Sequence, residues 1–121
     1  MNNIKEFRVI VAGGRDFSNY LLLEEKLNAL FANKQNVVIV SGAAKGADKL
    51  GEQYARKHNI MISSYPALWN QHGNQAGFIR NTEMAKNAEA CVCFWNGQST
   101  GTKHMIDTAK ELKLKLRIIT Y

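Results

Sequence analysis

Proline is nearly absent from this chain, with a single residue, Pro66, and cysteine occurs only twice in 121 residues. The first scarcity excludes a collagen-like or polyproline segment, and the second excludes a disulfide framework. Cys91 and Cys93 stand two apart inside an apolar run. On a strand they share one face, yet their backbones lie too far apart for an easy bridge, so two buried reduced thiols are expected. No further cysteine completes a metal site, and none is expected. Long hydrophobic runs are also missing. Nothing approaches the ~20 apolar residues that cross a bilayer, and the start Met1-Asn2-Asn3-Ile4-Lys5 lacks the apolar core of a secretory signal. These absences predict a cytoplasmic protein that makes no use of a membrane. With no linker, repeat or low-complexity stretch, residues 1–121 read as one domain.

What is present is the composition of an ordinary globular chain, 45% hydrophobic, carrying a formal charge of +6. A positive balance favours an anionic partner, without separating a small phosphate compound from a polynucleotide. Lys110, Lys113, Lys115 and Arg117 cluster near the end, as a solvated face would. Arg15, Lys45, Arg80 and Lys103 fall instead in or beside glycine-bearing loops.

Strands and helices alternate along the chain. Phe7-Arg8-Val9-Ile10-Val11-Ala12 reads as a buried strand leaving through Gly13-Gly14. Ser18 is the expected N-cap of a helix with Leu23, Leu27, Leu30 and Phe31 at helical spacing. Val37-Val38-Ile39-Val40 is a second strand, and Ser41-Gly42-Ala43-Ala44-Lys45-Gly46-Ala47-Asp48 opens a helix carrying Ala47, Leu50, Tyr54 and Ala55 inward. A weaker strand at residues 60–65 precedes a polar loop over 66–75 and a helix over 76–87. Residues 90–95 and 115–120 are the last two strands. The helix between them is expected to bury Ile106, Ala109 and Leu112. This alternation predicts a doubly wound, Rossmann-like α/β fold: a five-stranded parallel sheet with helices on both faces. In the order 3-2-1-4-5, strand order reverses between strands one and four, and ligands bind at that carboxyl edge.

Three loops meet there. Glycines let the backbone turn and approach a ligand, and free amides at a helix start attract anions. In the last loop Gly97 supplies the turn, Gly101 backbone clearance, and Ser99 and Thr102 hydroxyls, unless Ser99 or Thr100 only caps the helix. In the second loop Ser41, Gly42, Ala43, Lys45 and Gly46 could contact phosphate or ribose, with Asp48 alternatively stabilising the first helical turn. Gly13, Gly14 and Arg15 form the first loop. Neither a Walker A loop nor a dinucleotide fingerprint is present. Arg15 and Arg80 could fork onto phosphate oxygens, and Trp95 could stack on a base or fill core.

Four motifs in order now carry a resemblance: Gly13-Gly14-Arg15-Asp16-Phe17, the 41–48 loop, Ala76-Gly77-Phe78-Ile79-Arg80-Asn81, and Trp95-Asn96-Gly97-Gln98-Ser99-Thr100-Gly101-Thr102. The chain resembles the SLOG superfamily of Rossmann-like domains, most closely its YspA/YpsA-related branch of small bacterial and phage proteins. The resemblance implies a nucleotide-derivative pocket that includes Arg80 and Asn81. Some members are phosphoribohydrolases that use an arginine, matched by Arg80, and a glutamate just after the last Gly-Thr. Here Thr102 is followed by Lys103, His104 and Met105, so that hydrolysis lacks its carboxylate. Asp16, Asp48, Glu83 and Asp107 form no evident acid/base pair, and His104 fits a surface position.

The expected function is binding or sensing of a nucleotide or nucleotide-derived ligand, with no obligate cofactor, by a monomer or small homo-oligomer. Two alternatives stand beside it: hydrolysis of an N-glycosidic or phosphate bond in such a ligand, and binding of single-stranded nucleic acid through the positive charge and platforms such as Trp69 and Phe78.

Overall fold

The computed structural model describes residues 5–121. The reading of residues 1–4 as lacking a signal lies outside that range. Strand β1 (Phe7–Gly13) is followed by helix α1 (Tyr20–Phe31), β2 (Val37–Ser41), α2 (Ala47–Lys57) and β3 (Met61–Ser64). A short helix α3 (Trp69–His72) and a 3₁₀ turn (Gly73–Gln75) lead into α4 (Ala76–Lys86), β4 (Ala90–Trp95), α5 (Thr100–Glu111) and β5 (Lys115–Thr120).

The five strands form one sheet in the order β3-β2-β1-β4-β5, and every pairing is parallel. Alternation along each central strand divides the core into two layers. Val9 and Val11 of β1 join Val92 and Phe94 of β4 against Leu23 and Leu27 of α1 and Tyr54 and Ala55 of α2. Ile10, Ala12, Cys91 and Cys93 point the other way, onto Met84 of α4 and Met105, Ile106 and Ala109 of α5. The fold is therefore Rossmann-like α/β, doubly wound, with the Val, Leu and Ile side chains each contributing about 1.5–3 kcal/mol by burial.

Three local expectations need correction. Asn19, not Ser18, caps α1, its Oδ1 accepting from the Leu22 amide at 3.0 Å. The polar stretch 66–75 is not one loop, because α3 and the 3₁₀ turn occupy most of it. Leu112 is 41% exposed rather than buried, since α5 ends at Glu111 and Leu112 is already its C-cap. Cys91 and Cys93 are free and buried with sulfurs 3.5 Å apart, and this contact together with burial pushes the Cys91 thiol up. Both pack in the layer against α4 and α5. Among the described residues no helix is long and apolar enough to cross a membrane.

Candidate functional site

Sheet order decides which loops can meet. Because β1 pairs with both β2 and β4, the loops leaving these three strands lie side by side at the carboxyl edge. They are also bonded together. The Ala47 amide donates to the Gly14 carbonyl at 3.2 Å, and the Gly14 amide donates to the Phe94 carbonyl at 3.0 Å. Gly46 has φ +78°, and a Cβ there would run into the Gly14 carbonyl and stand 2.7 Å from the Arg15 backbone. Only glycine allows both the turn and the loop-to-loop approach.

The result is a cleft of about 520 Å³, a size suited to one small ligand, for which pockets run about 300–1,000 Å³. Gly13, Gly14 and Arg15 line it from the first loop, Asp48 from the start of α2, and Arg80 and Asn81 from α4. Ser99, Gly101 and Thr102 line it from the start of α5. Nine of the residues singled out from sequence thus share one concavity.

The others are placed differently. Ser41 is fully buried, its hydroxyl donating to Glu52 Oε2 at 2.7 Å and accepting from the Ala43 amide at 3.1 Å. It braces the second loop from beneath. Gly42 is buried and does not line the cleft, and a Cβ there would strike the Arg80 guanidinium and stand 2.7 Å from Asp48 Oδ2. Ala43, in the left-handed region at φ +61°, and Gly46 shape the turn, while Lys45 is solvent-exposed. Gly97, at φ +86°, turns the last loop on the protein surface. Trp95 does not reach the cleft. It packs on the core beside α4 and α5, and its indole N–H donates to the Ser99 carbonyl at 3.1 Å.

Arg80 is held as an anchor by its own helix and by the second loop. Its Nε donates to Asn81 Oδ1 at 3.0 Å and its Nη1 to the Gly42 carbonyl, while Nη2 has no protein partner among the described residues. Burial lowers this guanidinium from its ordinary value and the Asp48 carboxylate opposes the shift; the group stays cationic. Asp48 is 4% exposed, and its Oδ2 accepts from the Ala44 amide at 3.3 Å. Burial pushes its carboxyl up to about 6, against the pull of that amide and of Arg80.

At the start of α5, Ser99 Oγ accepts from the Thr102 amide at 3.3 Å and lies 3.0 Å from Thr102 Oγ1. Capping is therefore real, and it leaves the Thr100 and Gly101 amides without a protein partner among the described residues. A Cβ on Gly101 would meet nothing within 4 Å, so the backbone there is open to approach. Two uncommitted N–H groups at a helix start, in a cleft also lined by Arg15 and Arg80, make an anion-attracting arrangement.

Two contacts add to what the sequence suggests. Asn81, buried, donates from Nδ2 to the Gly101 carbonyl at 3.3 Å and stands 3.2 Å from His104 Nδ1, joining α4 to α5. Burial lowers the His104 imidazole, with Asp107 opposing, which suits a neutral ring accepting at Nδ1. The last residue, Tyr121, donates to Asp16 Oδ1 at 2.5 Å, and a Cβ on Gly14 would collide with that hydroxyl. The order 3-2-1-4-5 could have revealed this contact, since it brings the end of β5 beside the β4 loop. Lys103, standing where the hydrolase glutamate would be, pairs with Asp107 at 2.8 Å on the exposed face of α5. Glu83 is exposed on α4.

A parallel sheet whose glycine loops converge at the switch point defines a Rossmann-like α/β domain. The profile of the YspA, cpYpsA-related SLOG family matches residues 7–72. Gene 61 protein of Mycobacterium phage D29 is 31% identical over 111 residues, covering 86% of this chain and 89% of that protein. The chain belongs to the YspA, cpYpsA-related SLOG family. The profile match ends before α4, so Arg80, Asn81 and the 97–102 loop lie beyond it. No solved structure matches the chain.

Proposed function

We propose that this protein is a binding or sensing module for a nucleotide or nucleotide-derived small molecule, whose phosphate sits between the start of α5 and the Arg15 and Arg80 guanidiniums. The observation that carries this is that Gly13–Arg15, Asp48, Arg80–Asn81 and Ser99–Thr102, segments distant in sequence, line one cleft. SLOG membership supports the ligand class at a coarse level. A concavity of about 520 Å³ is of the size that holds one small ligand.

Any ligand that binds only the folded state raises the melting temperature. A panel of nucleoside monophosphates, cyclic nucleotides and ADP-ribose compounds should therefore contain at least one that shifts Tm by several degrees at millimolar concentration. A flat response across the panel would remove this reading.

One observation favours a second activity at the same place. Asp48 lines the cleft at 4% exposure beside Arg80, and burial pushes its carboxyl up to about 6, a range in which a carboxyl can exchange a proton near neutral pH. Hydrolysis of an N-glycosidic bond would release free base from nucleoside monophosphates, detectable by chromatography. Intact substrate after prolonged incubation at high protein concentration excludes it.

A further inference from the structure

Half-exposed aromatic side chains that share one concavity with a cationic anchor present ring surface to whatever enters it. Two of them, Trp69 at 52% exposure and Phe78 at 40%, line the same cleft as Arg80. Neither is loose. The Trp69 ring lies against Gly77, with its edge 3.7 Å from where a Cβ on that glycine would stand, and Arg80 Nη2 is also 3.7 Å from that point. Indole and guanidinium therefore flank one spot on the first turn of α4. Phe78 is stacked on His104, with ring centroids 4.2 Å apart and planes 11° from parallel. Asn81, which accepts from Arg80 Nε, is the same residue that holds His104 Nδ1. Phe78 and the arginine are thus set by one group of contacts.

We propose that Trp69 and Phe78 form a ring-stacking subsite for the base of a mononucleotide, next to the phosphate site anchored by Arg80. The inference rests on the phosphate reading above and adds to it the part of the ligand that a glycine loop cannot report. Stacking on an aromatic face needs no particular hydrogen-bond pattern, so the subsite favours a flat base over none and discriminates weakly among bases. Trp95, the tryptophan that its sequence position suggests for this task, is committed to the Ser99 carbonyl.

The test measures binding of the four nucleoside 5′-monophosphates, ribose 5-phosphate and adenosine to wild type, Trp69→Leu and Phe78→Leu by calorimetry, with tryptophan fluorescence in parallel. Wild type should bind a nucleoside monophosphate at least about tenfold more tightly than ribose 5-phosphate, and each substitution should cut that preference severalfold. Ribose 5-phosphate affinity should stay unchanged in the variants, which also shows that they are folded. Nucleotide should quench wild-type fluorescence, with the quench lost in Trp69→Leu. Equal affinity of wild type for ribose 5-phosphate and every nucleotide overturns the subsite and leaves the phosphate reading standing. Adenosine bound as tightly as its monophosphate overturns the phosphate reading alone, and absence of any binding overturns both. Should Trp69→Leu alter self-association by sedimentation while the ring preference persists, the wall serves protein contact and the proposal is wrong.

Discussion

The Arg80 guanidinium donates through Nη1 to the Gly42 carbonyl, so a side chain of α4 is fastened to the loop after β2, 38 residues earlier in the chain. The bond explains why residue 42 is glycine, since any Cβ would occupy the place of the guanidinium. It also leaves Nη2 near Gly77, with no protein hydrogen-bond partner among the described residues.

Arg80→Ala is expected to weaken binding of a nucleoside monophosphate at least about tenfold, because a charged hydrogen bond contributes roughly 1.5–3 kcal/mol. Arg80→Lys should recover little, since an ammonium cannot span the Asn81, Gly42 and ligand positions together. Calorimetry on the three proteins checks this, and full recovery by lysine would reduce the arginine to a point charge.

Asp48 predicts a pH-dependent stability. Its folded-state value, about 6, lies above the ordinary 3.8, so the folded protein holds this proton more tightly than the unfolded chain. The stabilisation is complete below about pH 3.8 and is lost as pH rises through about 6. Asp48→Asn should therefore be more stable than wild type at pH 8, by on the order of 1–3 kcal/mol, with the gap shrinking toward pH 5. Urea denaturation at several pH values reads this directly. A gap independent of pH would mean that burial does not govern the carboxyl.

Asn81→Ala removes donors to Gly101 and His104 and the acceptor for Arg80 in one change. Leaving such buried or half-buried groups without a partner costs about 1–3 kcal/mol. Ligand affinity should fall as well, because the Gly101 backbone and the Arg80 side chain lose their common support. A variant with unchanged urea midpoint would show that water replaces the amide fully.

Ala43→Gly tests backbone strain in the second loop. Ala43 sits at φ +61°, where an L side chain costs about 1–2 kcal/mol. Glycine removes that cost and adds chain entropy to the unfolded state, for a net gain of about 0.5–1 kcal/mol. The urea midpoint should rise, and a fall would show that unfolded-state entropy dominates.

The elements were largely legible because each carries its own periodicity: continuous apolar strands that are covered on both faces, and Leu23 and Leu27 at helical spacing on α1. The short α3 was not, since Trp69-Asn70-Gln71-His72 is polar, brief and held by its neighbours rather than by an apolar stripe. The cap at Asn19 was missed for a similar reason, as Ser18 and Asn19 are both competent and only the chain's path selects one. In the site, loop residues could be read from glycine spacing, but not which of them face the cleft. Ser41 and Trp95 have side chains capable of ligand contact, and each is committed inward, to Glu52 and to the Ser99 carbonyl.

By itself the sequence determined the parallel sheet, its two helical layers and the edge at which the glycine loops lie, because these follow from hydrophobic period and from the steric freedom of glycine, both local properties. Tertiary structure alone decided that Arg80 turns toward Gly42, that burial raises the Asp48 carboxyl above its ordinary value, and that Trp69 and Phe78 line the cleft where Trp95 does not. Those outcomes depend on packing between α4, α5 and the loops after β1 and β2. Contacts between segments dozens of residues apart are set by how the helices seat on the sheet, which no local pattern encodes.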